Sequence, residues 1–171
     1  DCVAGVRPQP VSGTLVPGFI DVQVNGGGGA LLNADRSVKC IETIGKAHAQ
    51  FGTTGFLPTL ITDNIDVMQT AADAVAKAID VGTPGVLGVH FEGQQLSVPK
   101  KGVHPQSHIR RISDAELAIF CRKDLGTKVV TLAPENVSVE VIKALVAEDV
   151  RVSLGHSNAD YETVVAALEA G

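Results

Sequence analysis

Two residue rhythms alternate along this chain. Five short runs rich in Val, Ile, Leu, Phe and Thr read as strands: "GFIDVQV" (18–24), "TGFLPTLI" (54–61), "VLGVHFE" (86–92), "KVVTLAP" (128–134) and "RVSLGH" (151–156). Most of them stop at Gly, Pro or a polar residue. After each run the apolar positions return at helical spacing. Val38, Ile41, Ile44 and Phe51 share one helical face that ends at Gly52. Ile65, Met68, Val75 and Ile79 mark a second helix behind the capping residues Asp63 and Asn64. Ser113 followed by Glu116 is a capping box that opens a third. Ser138 caps a fourth, with Val141, Ile142 and Leu145, and a fifth carries Val164, Val165 and Leu168 and ends at Gly171.

This alternation predicts parallel strands joined by right-handed crossovers, an α/β fold. A doubly wound sheet and a (β/α)8 barrel both satisfy it. No Gly-rich phosphate loop opens a helix, and "NGGGG" (25–29) reads as a turn that needs positive φ or close backbone approach. The polar residues decide. Gln23 and Asn25, Glu92, Glu135, His156 and Asn158 gather at strand C-terminal ends, where a barrel collects its catalytic groups. The reading is a TIM-type (β/α)8 barrel, with residues 15–171 as its first five βα units and residues 1–14 outside it. A whole barrel takes about 250 residues, so further strands are expected beyond Gly171. An open five-strand sheet is expected to leave its first and fifth strands as unpaired edges.

Of the 171 residues, 44% are apolar and 19% charged, which fits a compact domain with a sizeable core and excludes a disordered segment. The net charge of −5 offers no basic footprint for nucleic acid. No apolar stretch approaches the roughly 18 to 20 residues that cross a bilayer, so no membrane partner is expected. The stretch "DCVAGVRPQPVSG" lacks the charged-then-apolar order of a signal peptide. Cys2, Cys40 and Cys121 form neither a CxxC pair nor an even framework, and the expected compartment is the reducing cytoplasm.

On strand alternation Val86, Gly88, His90 and Glu92 share one face, and Leu87, Val89 and Phe91 the other. Glu92 and His156 then stand at the tips of the third and fifth strands, facing a common centre. A carboxylate oxygen plus an imidazole nitrogen is a partial Zn²⁺ ligand set. Each residue also has a structural reading. Glu92 alone is equally a salt-bridge partner for Lys100 or Lys101, and His156 a hydrogen-bonded core or helix-start histidine. Gln23 and Asn25 read as hydrogen-bonding amides, His90 as a core residue or one behind the ligands, and Glu135 as a turn or cap residue. The loop "SVPKKGVHPQSHIRR" (97–111) is a solvated face or an anion site built on Lys100, Lys101, His104 and Arg110.

At these residues the chain resembles the N-acetylglucosamine-6-phosphate deacetylases of the amidohydrolase superfamily. The matching stretches are "LVPGFIDVQVNGGGG" (15–29), "GTTGFLPTLIT" (52–62), "GVHFEG" (88–93), "VPKKGVHPQSHIR" (98–110), "VTLAPE" (130–135) and "VSLGHSNA" (152–159). The resemblance implies an amidohydrolase barrel that hydrolyses the N-acetyl group of N-acetylglucosamine-6-phosphate, giving glucosamine-6-phosphate and acetate. It implies one divalent metal per subunit, Zn²⁺ with Fe, Mn or Co as alternatives, a sugar-phosphate substrate and a homodimer. Glu92 matches the family's carboxylate ligand and His156 its first histidine ligand. His104, with Gly102 and Val103 before it, matches the substrate-contacting segment. Gln23 and Asn25 occupy the place of a His-x-His pair that binds a second metal elsewhere in the superfamily. The family's second histidine ligand and catalytic aspartate lie in later strands, beyond Gly171. Its small β-sandwich is represented here at most by residues 1–14, as a remnant or linker. Where the family usually has Pro after "EG" this chain has Gln94, so the turn behind Glu92 is expected to be looser.

Three functions compete. The first is a sugar-phosphate deacetylase. The second is a non-catalytic homologue that binds metal or sugar phosphate or assembles with another chain. The third is an amidohydrolase acting on another amide, which the Gln-x-Asn first strand and the "KKGVH" loop disfavour. Glu92 and His156 supply two ligands, whereas a catalytic zinc site normally has three and a water. Residues 1–171 alone are therefore expected to lack turnover.

Overall fold

The computed structural model describes residues 12–171. Residues 1–11, and with them most of the 1–14 stretch expected as a sandwich remnant or linker, lie outside the described residues. Five long strands carry the sheet: β1 (Phe19–Val24), β4 (Thr53–Ile61), β5 (Gly88–Glu92), β6 (Thr127–Leu132) and β7 (Val150–Leu154). A hairpin of β2 (Gly26–Gly27) and β3 (Ala30–Leu31) follows β1, turning through Gly28 and Gly29 at φ 61° and 82°. The helices are α1 (Val38–Ala49), α2 (Ile65–Asp80), α3 (Asp114–Phe120), α4 (Val139–Ala147) and α5 (Tyr161–Glu169). Their first turns are fixed by side chains of Ser37, Asn64, Ser113, Ser138 and Asp160, each accepting a backbone N–H.

The main sheet is parallel throughout, in the order β1-β4-β5-β6-β7. Each long strand pairs with the one before it in the chain. A doubly wound sheet reverses its order at a switch point, and this one does not. It also curls. His90 on β5 donates from Nδ1 to the Val22 carbonyl on β1, at 2.9 Å, although β4 lies between them. In a flat sheet those strands would stand about 9.6 Å apart. One-way winding and curl make this the five-strand part of a (β/α)8 barrel.

Strand ends move by a residue or two from the sequence reading. Pro134 carries no N–H and opens a 3₁₀ turn (Pro134–Asn136), so β6 stops at Leu132. β7 stops at Leu154, which leaves Gly155 and His156 in the following loop. Pro58 is tolerated inside β4 because the ladder to β1 is irregular there, and Val24 N–H bonds the Thr59 hydroxyl instead. Two helix faces are corrected. Phe51 lies past the end of α1 and is exposed, and α5 buries Ala167 rather than Leu168.

β5 is buried at all five positions. Its outward face packs on the helices, with the Phe91 and Phe120 rings 5.2 Å apart, and its inward face presents His90 and Glu92. β1 and β7 are the sheet's edges, and Phe19, Ile20 and Val22 of β1 are exposed. No helix among the described residues is long and apolar enough to cross a membrane.

The long connection from Gly93 to Ile112 is pinned by Arg110, contrary to its reading as an anion-site donor. Its guanidinium pairs with the fully buried Glu116 at 2.9 Å and donates to the carbonyls of Asp63 and His108. Glu116 also closes the capping box with Ser113. The turn behind Glu92 is likewise held: Gln94 is buried and its carbonyl accepts Arg110 N–H at 2.8 Å.

Removing the guanidinium leaves Glu116 as a buried charge without its counter-ion, a change that costs about 3 to 5 kcal/mol. Arg110→Met is expected to lower the urea midpoint accordingly, and Arg110→Met with Glu116→Gln to recover much of the loss. A single variant as stable as the wild type would show the pair to be dispensable. Burial also keeps the His90 imidazole below its ordinary value of 6.5, against the raising pull of Val22 O and Glu92. Below that value the unfolded chain binds the proton more readily than the folded one. This contribution is intact above it and lost as pH falls through it. Without metal, acidification from about pH 7.5 to about pH 5.5 should destabilise the wild type more than His90→Gln. Equal losses would contradict this.

Candidate metal centre

Glu92 ends β5 with its carboxylate inside the curl of the sheet, 6% exposed. Two amides from the tip of β1 reach it. Gln23 Nε2 donates to Oε1 at 2.7 Å and Asn25 Nδ2 to Oε2 at 3.4 Å. The bridge from His90 to Val22 fixes the strand that carries both amides, and Thr131 Oγ1 holds the other nitrogen of His90 at 2.7 Å. Neither Lys100 nor Lys101 pairs with Glu92. Lys101 Nζ instead donates to the carbonyls of Gly102 and His104. The salt-bridge reading of Glu92 does not hold in this structure.

His156 enters from the loop after β7 and places Nε2 at 3.3 Å from Glu92 Oε1. Its Nδ1 lies 2.9 Å from the Lys100 carbonyl. A carbonyl has no proton to give, so Nδ1 carries the hydrogen, and in the neutral imidazole Nε2 then presents its lone pair. The backbone here is unusual: His156 has φ 50°, in the left-handed region. Gly102 packs nearby, a β-carbon there falling 3.8 Å from His156 Cε1. Gly102 and Val103 themselves are exposed.

His104 is buried beside them, with Nε2 at 3.8 Å from Glu92 Oε1 and its ring edge-on to His156 at 4.7 Å. Its Nδ1 meets Thr62 Oγ1 at 2.8 Å, and that hydroxyl donates in turn to Gly93 O. The Thr62 hydroxyl must then accept from Nδ1–H, which leaves Nε2 bare as in His156. Thr62 N–H approaches the same nitrogen at 3.4 Å and would require the opposite tautomer, but the shorter contact dominates. Burial holds the His104 imidazole below its ordinary value, and nearby His156 and Lys101 act in the same direction against Glu92. A neutral imidazole is the form that ligates metal.

One carboxylate oxygen and two bare imidazole nitrogens thus converge, all within 4.8 Å of one another. Three lone pairs aimed at one another repel unless a cation lies among them. The donor set, two nitrogens and one oxygen, is that of an open zinc site. Each histidine's second nitrogen is tied to an oxygen of the protein, which sets tautomer and ring orientation as outer partners of metal ligands do.

The sequence reading anticipated the approach of Glu92 and His156 and the place of Gln23, Asn25 and His90 around them. It did not foresee His104 as a third donor beside Glu92. Nor did it foresee Thr62, although this residue sits at the tip of β4, at the end of the sheet where the other polar groups collect. Glu135 is not merely a turn residue: its carboxylate accepts from Ser157 Oγ and Asn158 N–H in the loop that carries His156.

Comparison with known proteins agrees with the fold. The sequence is 58% identical over 160 residues to an N-acetylgalactosamine-6-phosphate deacetylase of a Shewanella species, covering 94% of this chain and 41% of that protein. It is 36% identical to the N-acetylglucosamine-6-phosphate deacetylase of Haemophilus influenzae, covering 98% of this chain and 44% of that protein. The crystal structure of N-acetylglucosamine-6-phosphate deacetylase from Pasteurella multocida superposes with a TM-score of 0.86 at 42% identity, covering 91% of this chain and 41% of that one. The chain thus spans about two fifths of the length of these relatives. A family model described as the amidohydrolase family matches residues 14–171, and with the one-way parallel sheet and the donors at its strand tips this chain belongs to that family.

Proposed function

We propose that this chain takes part in metal-dependent removal of the N-acetyl group from a 6-phosphorylated N-acetylhexosamine, with N-acetylglucosamine-6-phosphate as the substrate and glucosamine-6-phosphate and acetate as products. The observation that carries the reading is the convergence of Glu92 Oε1 with the bare Nε2 atoms of His156 and His104. Glu92, His156 and His104 would hold one divalent ion, Zn²⁺ first, with Fe²⁺, Mn²⁺ or Co²⁺ as alternatives. Once bound, the ion supplies Lewis acidity toward the amide carbonyl. The chain's own part is to set the tautomer of both imidazoles, with Nδ1–H turned to Lys100 O and Thr62 Oγ1 and Nε2 toward the ion, and to hold the Glu92 carboxylate between the amides of Gln23 and Asn25. Neutral amides are poor transition-metal ligands, and here they stand where an imidazole pair would hold a second ion, so the site takes one.

His104, with the exposed Gly102 and Val103 before it, is also the segment that contacts the substrate's sugar phosphate in this reading. The resemblance places the family's second histidine ligand and the aspartate that moves the proton beyond Gly171. Turnover is therefore assigned to a protein carrying those strands, acting in the cytoplasm as a homodimer. A second substrate, the C4 epimer, is favoured by one finding: the relative at 58% identity bears the galactosamine name, against 36% for the glucosamine-named one from Haemophilus.

Two measurements check this reading. Titrated with Zn²⁺, the chain is expected to bind one equivalent, and Glu92→Gln to weaken binding by more than the 10- to 100-fold typical of losing an outer partner. Equal affinity in the variant would remove Glu92 from the site. In a protein that joins this sequence to the later barrel strands, acetate release should be seen with 6-phosphorylated N-acetylglucosamine or its galactosamine epimer. Their kcat/KM ratio then assigns the epimer. Hydrolysis of neither, with the metal bound, would overturn the deacetylase reading.

A further inference from the structure

His156 is the one non-glycine residue near the metal centre, among those described, that adopts a left-handed backbone. A residue outside the usual regions keeps that conformation only where its surroundings over-determine it. Four bonds do so here. The His156 carbonyl accepts Ser97 N–H at 2.9 Å, and its Nδ1–H donates to Lys100 O at 2.9 Å. On the other side Ser157 Oγ donates to Glu135 Oε2 at 2.7 Å, and Asn158 N–H donates to Glu135 Oε1 at 2.7 Å. Ser157 Oγ also accepts Ala159 N–H, which closes a tight turn directly after the histidine.

Glu135 is well placed to act as this clamp. It follows β6 in the short 3₁₀ turn Pro134–Asn136, and Asn136 anchors that turn by donating from Nδ2 to Leu96 O at 2.8 Å. The carboxylate therefore rises from a fixed turn on one strand to grip the loop of the next. Partial burial pushes its carboxyl up, but the hydrogen bonds from Asn158 and Ser157 outweigh this and hold it below the usual range.

We infer that Glu135 is a positioning residue of the metal centre: its carboxylate, bonded through both oxygens to Ser157 and Asn158, holds the loop in the left-handed turn that aims His156 Nε2 at Glu92. It touches neither metal nor substrate. The inference rests on the proposed role of His156 as a ligand.

Two readouts test it separately from that reading. The first needs no metal: the ring tautomer of His156, read by ¹⁵N–¹H NMR on the chain in chelator at one neutral pH. The second is Zn²⁺ affinity, with far-UV circular dichroism as the check on folding. In Glu135→Ala the Nδ1-protonated share of His156 should fall and zinc affinity drop by about tenfold or more, the usual scale for losing an outer partner. Glu135→Gln keeps one acceptor oxygen and should retain most of both. Ser157→Ala, at the far end of the clamp, should show a smaller loss of the same kind, and it tests the contact if Glu135→Ala does not fold. An unchanged tautomer and unchanged zinc affinity in folded Glu135→Ala or Ser157→Ala would overturn the inference. A shifted tautomer in a chain whose wild type binds no zinc would support the clamp and overturn the metal reading instead.

Discussion

A carboxylate carried to the inner end of a buried strand costs several kcal/mol unless something compensates it, and the arrangement around Glu92 follows from that constraint. Part of the compensation is visible in the two amides of Gln23 and Asn25, which donate to its two oxygens. The rest is not supplied by any lysine or arginine among the described residues. Its remaining neighbours are the Nε2 atoms of His156 and His104, whose other nitrogens are each turned to an oxygen of the protein. Such a set is stable around a cation and strained without one.

The fold serves this set by bringing four strand tips together. β1 provides the amides, β4 provides Thr62, β5 provides Glu92 and β7 leads into His156. Parallel strands all point their C-terminal ends the same way, so the polar ends of separate βα units meet at one rim. The rim is stiffened from beneath by His90, which ties β5 to β1 and β6 through its two nitrogens. It is stiffened from outside by Arg110 and Glu116, which hold the loop that brings in His104. Packing places the backbone, and hydrogen bonds to the second nitrogen of each histidine set the chemistry.

Much of this was legible in the sequence, for physical reasons. The period-two pattern of "VLGVHFE" put His90 and Glu92 on one face, and β5 bears that out with Phe91 turned outward onto Phe120. Capping residues marked three of the helix starts because an N-cap is a local interaction within three residues. What escaped was non-local. The role of Arg110 depends on Glu116 across a turn, and that of Glu135 on Ser157 and Asn158, 22 and 23 residues away. Phe51 and Leu168 continued a helical rhythm but lie beyond the end of a helix or on its exposed side, a matter of where the chain turns rather than of periodicity. The proximity of His104 to Glu92 depends on a folded loop that pattern reading cannot close.

X-ray absorption at the zinc edge, on the chain loaded with one equivalent of Zn²⁺, tests the central claim most directly. The account predicts a first shell of nitrogen and oxygen at about 2.0 to 2.2 Å, with outer-shell scattering from two imidazoles, one of which disappears in His156→Ala. A spectrum without imidazole scattering, or one unchanged in that variant, would contradict it and leave a proton, not a metal, as the cation shared by Glu92 and His156.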